Sequence, residues 1–299
     1  MASNRILSMG EVLWDLFPDG PRFGGAPANF ACHTAALGGR VSIVSAVGDD
    51  SRGHDAIDML RAYGINTSFI QHVADAPTGS VGVKLDVSGK PTFDIHERSA
   101  WDQLTFTPEL ESHLAEVDAV YFGTLGQRSE TSRATIRRAM RVAKARGILR
   151  VLDVNLRKPF FSAALIRESV GLANILKLSD DELHQVAEAC DGVNENRPET
   201  ILRTLLDRHQ LKLVVMTRGA EGCLLVSADE TIDQPGIPTK VRDTVGAGDC
   251  FTAVLVVGLL RGDTLRTIAR DACETAAAVC AQSGAVPKLS TSTKVASRS

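Results

Sequence analysis

The chain has 299 residues, 44% hydrophobic and 23% charged, with a formal net charge of -3. That is an ordinary soluble composition, long enough to bury a sizeable core as one large or two ordinary domains. The scattered basic residues exclude a nucleic-acid patch, and apolar runs such as Phe251 to Leu260 fall far short of the roughly 20 residues of a membrane span.

Met1-Ala2-Ser3-Asn4-Arg5 leads straight into a strand over Arg5 to Met9, without the apolar region of a signal peptide. Glu11 to Phe17 also reads as a strand, and Pro18-Asp19-Gly20-Pro21 as a turn. An Ala-rich helix over Phe30 to Leu37 follows, with Pro27 at an early helical position and Gly38-Gly39 ending it. Arg40 to Val47 is a β-branched strand and Gly53 to Tyr63 a helix. Ser80 to Ile95 alternates with period two about Ser88-Gly89-Lys90, which predicts a hairpin in a separate small sheet. From there strands and helices take turns. Strands are expected at Ala119 to Phe122, Leu149 to Val154, Ile175 to Leu178, Lys212 to Met216 and Gly222 to Val226. Helices are expected at Glu130 to Arg146, Phe161 to Leu172, Asp180 to Ala189 and Pro198 to His209, with a loop over Asp191 to Pro198. This alternation predicts an α/β fold, a mostly parallel sheet with helices on both faces. The polar tail Ser290 to Ser299 is expected to be poorly ordered.

Cys32, Cys190, Cys223, Cys250, Cys273 and Cys280 are widely spaced, with no Cys-x-x-Cys pair and no nearby His cluster. Reduced, mostly buried thiols in a cytoplasmic protein are the simplest reading, and a zinc site has no spacing support.

The chemistry concentrates at Asp243-Thr244-Val245-Gly246-Ala247-Gly248-Asp249, which runs into the apolar helix from Cys250 to Leu260. Backbone N–H groups at such a helix start form an anion site. A carboxylate there makes sense if Asp249 takes a proton from a hydroxyl attacking phosphorus, although Asp and Gly-x-Gly also suit an ordinary helix start. Near the N-terminus, Asp15 and Asn29 flank Gly24-Gly25 and could bind a polyhydroxylated ligand; alternatively the glycines only turn the chain. There is no P-loop, and no Gly-x-Gly-x-x-Gly follows the first strand.

Gly24-Gly25-Ala26-Pro27-Ala28-Asn29 through Gly53 and the Asp243 to Phe251 stretch together resemble the two signatures of the PfkB, ribokinase-like, carbohydrate kinases. Asp153-Val154-Asn155-Leu156-Arg157, Lys177 to Glu182 and Thr217 to Gly222 resemble that family too, in its order, over about residues 5 to 288. Gly10 to Asp15, the Ala26-Pro27 pair and Ala100-Trp101-Asp102 look most like bacterial fructokinases.

The resemblance implies a single kinase domain, a three-layer α/β/α sandwich with a small β-sheet lid from about 11–24 and 80–103. It implies an ATP- and Mg²⁺-dependent kinase acting on a sugar's primary hydroxyl, with fructose first and 2-keto-3-deoxygluconate, or the substrate of another PfkB-type sugar or nucleoside kinase, as the alternative. A non-catalytic sugar or nucleotide sensor is the reading from another class. Asp249 would be the base and the amides of Gly246, Ala247 and Gly248 the anion hole. Asp15, Gly24, Gly25, Asn29, Arg98 and Arg157 would hold the sugar, though either arginine also suits a salt bridge. Lys177, Thr217, Gly219 and Gly222 would line the nucleotide, and Glu182 would order Mg²⁺ through water. Ser179 replaces the family's Asn in Asn-x-x-Glu, which puts its nucleotide contact in doubt. Asp243 is a candidate for a monovalent cation, and Lys288 stands where a small oxygen ligand is expected, so potassium is left open. A homodimer through the lid is compatible with the resemblance; neither nucleic acid nor membrane is expected as a partner.

Overall fold

A computed structural model describes residues 4–85, 91–190 and 197–287. The Ser88-Gly89-Lys90 turn, most of the 191–198 loop, Lys288 and the tail lie outside the described residues.

Among the described residues a nine-stranded sheet forms the centre. Its strands are β1 (Arg5–Met9), β4 (Arg40–Gly48), β5 (Asn66–Val73), β8 (Ala119–Gly123), β9 (Leu149–Asp153), β10 (Ile175–Ser179), β11 (Leu213–Thr217), β12 (Cys223–Ser227) and β13 (Thr231–Gln234). The order is β13-β12-β11-β10-β9-β8-β1-β4-β5. Pairing is parallel except at the β11–β12 and β12–β13 edge, which is antiparallel. The parallel strands read as continuous apolar runs because both faces are covered. Side chains alternate between two cores: Ile6, Ala119 and Tyr121 face one, Leu7, Val120 and Phe122 the other.

One face carries α1 (Ala26–Ala36), α2 (Ser51–Ala62), α8 (Ala247–Arg261) and α9 (Leu265–Cys280). The other carries α3 (Pro108–His113), α4 (Glu130–Ala145), α5 (Ala163–Leu172), α6 (Asp180–Ala189) and α7 (Pro198–Arg208). Most helix starts show a capping side chain, such as Asp50 accepting from Gly53 N–H at 2.8 Å and Ser162 accepting from Leu165 N–H at 3.2 Å. α8 is buried at every position from Cys250 to Gly258, so it is fixed on all sides and so is its N-terminus.

A second sheet has the order β3-β2-β6-β7, from β2 (Leu13–Phe17), β3 (Gly20–Gly24), β6 (Gly79–Leu85) and β7 (Pro91–Ile95). It forms the separate layer that the hairpin pattern predicts. Two boundaries differ from expectation. Glu11 and Val12 are not strand: they turn the chain between β1 and β2. Residues 96–103 are not strand either, and Ala100–Gln103 form a 3-10 turn that buries Trp101 in the body.

Candidate active site

Strand order reverses between β1 and β8. The chain first builds outward through β4 and β5, then returns to β8 and builds the other way. In open parallel sheets the crevice beyond the carboxyl ends at such a point is where ligands bind. Of the residues expected to carry the chemistry, Asn29, Lys177 and Arg157 come together around Asp249.

α8 starts on Gly246, whose φ of 80° is left-handed. A side chain is excluded, since a Cβ would stand 2.1 Å from the Ala285 carbonyl oxygen. That carbonyl is itself held by His33 Nε2 at 2.9 Å. Ala247 N–H donates to Thr244 O at 3.3 Å, and the first helical bond is Cys250 N–H to Gly246 O at 2.9 Å. The amides of Gly248 and Asp249 lie between, in the first turn, where the residues four back, Thr244 and Val245, precede the helix and offer no intrahelical acceptor. Among the amides expected to form the anion hole, that of Ala247 thus has a main-chain acceptor at 3.3 Å, while those of Gly248 and of the neighbouring Asp249 lie in the open first turn.

Asp249 is half-buried, and Asn29 Nδ2 donates to its Oδ2 at 2.9 Å. Loss of solvent pushes its pKa up; the Asn29 bond and the charges of Lys177 and Arg157 pull it down. A lifted carboxylate is a stronger proton acceptor.

Behind the helix start, Lys177 Nζ donates to Asp153 Oδ1 at 3.0 Å, and Thr252 Oγ1 donates to Asp153 Oδ2 at 3.0 Å. A Cβ on Gly248 would stand 3.3 Å from Lys177 Nζ. An ammonium beside the positive end of a helix needs an anion. Asp153 supplies one, although burial lifts its own pKa to about 6. Neither Asp153 nor Thr252 was singled out from the sequence, where Asp153 is visible only as part of a motif.

Of the residues expected to hold the sugar, Asp15 sits on β2 in the small sheet, and burial lifts it to about 6 against the charges of Arg157 and Arg22. Gly24 and Gly25 do permit a close approach, but of the protein to itself. A Cβ on Gly24 would meet Asp15 Oδ2 at 2.7 Å, and one on Gly25 would meet the Glu11 carbonyl at 2.5 Å. Arg157 is exposed, yet its charge acts on Asp15, Glu11 and Asp249 alike. Arg98 is exposed just beyond β7, with a left-handed φ of 58°.

On the other side, Thr217 ends β11, with its hydroxyl 3.4 Å from Leu178 O. Gly219 and Gly222 bound a short 3-10 turn with φ of 53° and 93°. Glu182 is already engaged: Oε1 accepts Leu156 N–H at 2.6 Å and Oε2 accepts Ser179 N–H at 2.8 Å. Ser179 and Glu182 form the capping box of α6. The serine that departs from the family pattern is thus a helix cap, and Ser-x-x-Glu was the signal for it. Asp243 closes its loop, accepting Val245 N–H and Gly284 N–H, both at 3.0 Å. No group of three or more metal-ligating side chains occurs among the described residues. Nor is any of their helices long and apolar enough to cross a membrane.

The model of the pfkB family carbohydrate kinases matches residues 20–292. Fructokinase-2 of Zea mays is 33% identical over 281 residues, covering 88% of this chain and 82% of that one. A fructokinase from Xylella fastidiosa solved with bound ATP shares the fold, with a TM-score of 0.84 at 23% identity over 95% of each chain. A fructokinase from Vibrio cholerae O395, solved with fructose, ADP and calcium, has a TM-score of 0.80 at 25% identity over 95% of each chain. With this match over most of its length, the chain belongs to the pfkB family of carbohydrate kinases.

Proposed function

We propose that this kinase transfers the γ-phosphate of ATP to the primary hydroxyl of fructose. The observation that carries the reading is Asp249: a partly desolvated carboxylate, oriented by Asn29, in the first turn of α8. A carboxylate beside a phosphate site is unfavourable unless it receives a proton there. Asp249 takes the proton of the sugar hydroxyl as that oxygen attacks phosphorus. The amides of Gly248 and Asp249, with Gly246 shaping the turn, stabilise the charge on the transferring phosphoryl group. Lys177, held by Asp153, adds a positive charge on the same side.

Asp15, Gly25, Asn29 and Arg157 form the sugar end. Asp15, Glu11 and Asp249 share Arg157, so the site carries surplus negative charge. That favours a neutral sugar over 2-keto-3-deoxygluconate, whose carboxylate would add to it. Relatives named fructokinase support the same choice.

The nucleotide would lie along Thr217, Gly219 and Gly222, with its phosphates towards Lys177. Magnesium fits as an ion held by ATP phosphates and waters. Each Glu182 oxygen accepts one amide and keeps a lone pair for a metal-bound water. When bound, the metal neutralises charge on the phosphates. A monovalent cation near Asp243 is checked by exchanging potassium for sodium in the assay.

The deciding experiment is ADP release with ATP and a panel of sugars. Fructose should give the highest kcat/KM. Preference for 2-keto-3-deoxygluconate, lost in Arg157→Ala, would establish the alternative. Sugar binding without turnover would establish a sensor.

A further inference from the structure

We infer that Glu11 belongs to the sugar site and forms a hydrogen bond through Oε2 with one sugar hydroxyl; this rests on the sugar-kinase reading above. Glu11 lies in the turn after β1 and is 3% exposed. Its own amide and that of Ala26, at the start of α1, face its carboxylate and favour the charged form. Gly25, the residue before α1, has no side chain with which to cap the helix, and the Glu11 carboxylate stands near that helix start. Oε2 is buried and has no hydrogen-bond partner among the described residues. A cap needs one oxygen. An unpaired second oxygen, shut away from water, is a cost that folds seldom keep without a use.

Its place in the fold suggests the use. Glu11 follows β1 and Gly126 follows β8, the two strands between which the sheet order reverses. A Cβ on Gly126 would stand 3.5 Å from Glu11 Oε2. The charges of Arg157 and Asp249 both act on Glu11. Two further polar atoms in the same neighbourhood are buried and unpartnered. Asn29 Oδ1 belongs to the amide that holds Asp249, and the Tyr121 hydroxyl feels the charges of Asp153, Asp249 and Glu11. Unsatisfied polar atoms gathered around the base are what a polyhydroxyl ligand can satisfy, because each hydroxyl both donates and accepts.

The test is a cycle between protein and substrate. It uses whichever sugar the wild-type enzyme turns over fastest, with analogues each lacking one non-reacting hydroxyl. kcat/KM is measured for the wild type, Glu11→Met and Glu11→Gln. One analogue should lose about 10-fold or more in the wild type, and that loss should shrink to under about 3-fold in Glu11→Met, with Glu11→Gln between. Penalties at other positions should stay. A residue that only caps α1 would lower kcat/KM for every sugar by one factor, so equal penalties in all three enzymes overturn the inference. Should Glu11→Met not fold, Glu11→Gln against wild type decides on the same criterion. A wild type inactive on every sugar overturns the function and this inference together; an active wild type whose profile does not move in the variants overturns this inference alone.

Discussion

Asp102 and Glu11 are both buried carboxylates, and the protein surrounds them in opposite ways. Asp102 accepts Arg128 Nε at 2.8 Å and Arg128 Nη2 at 2.7 Å, a two-pronged pair. The guanidinium lies 3.9 Å from the Trp101 ring centre and 4.8 Å from that of Phe160, and Nη2 also reaches His96 O. Only Nη1 of that arginine lacks a partner among the described residues. Glu11 faces two amides, its Oε2 has no partner among the described residues, and burial lifts it to about 7. Compensation at Asp102 joins the end of the small sheet to the body. At Glu11, Asp15 and Asp249 the cost of burial is offset only in part, by the shared Arg157 and by Asn29, which leaves polar atoms there for a ligand to satisfy.

The largest effect should come at the centre of the partly compensated region. Asp249→Asn should lower kcat by about 10²–10⁴ while sugar affinity by calorimetry stays within a few-fold. A variant that keeps more than about a third of wild-type kcat would remove Asp249 as the base. Breaking the compensated pair should cost stability instead. Arg128→Met should destabilise by about 3–5 kcal/mol in denaturant unfolding, because it strands Asp102. If unfolding is unchanged, the pair is not what secures that junction.

The pH dependence separates the regions further. Glu11 has a folded pKa raised from 4.5 to about 7, so the folded state holds this proton more tightly than the unfolded state. Stability of the ligand-free protein should therefore fall as pH rises from about 4.5 to about 7 and then level off, with Glu11 responsible for about 3 kcal/mol. Asp15 and Asp153 push in the same direction. Glu11→Gln should flatten part of that slope, and an unchanged profile would show that the carboxylate is not strained. Asp15→Ala comes next, raising the KM for fructose by about 10-fold or more through a lost charged hydrogen bond. Smallest is the response of the small sheet. Its amides should exchange more slowly at saturating sugar as it closes over the site and excludes water. Unaltered exchange would leave it a fixed wall.

Much of this was legible beforehand where the pattern is strong. α4 and the parallel strands follow from periodicity, and Asp249 and Asn29 from the order of motifs. The misses share a physical cause. α9 buries mainly Ile268, Ala269, Ala272, Cys273 and Val279, a face too poor in large side chains to stand out. β5 is an edge strand in which Ile70 alone is buried. β13 has four residues. Glu11 escaped notice because its role depends on Gly25 and Gly126, distant in sequence, and a strand-like context made it unremarkable.

The Ala285 carbonyl has a consequence for how short this protein can be made. It sits against Gly246 and accepts from His33, whose pKa burial lowers to about 4, so the ring stays neutral at working pH. Tyr63 O–H reaches the next carbonyl, Val286, at 3.1 Å, and Gly284 N–H grips Asp243. These three main-chain groups lie beyond the end of α9. Trimming that stops after residue 287 keeps all three, whereas trimming to residue 282 takes them away while α9 itself stays whole. The shorter protein should still fold but bind ATP poorly, which sets the usable C-terminal limit by chemistry rather than by the core.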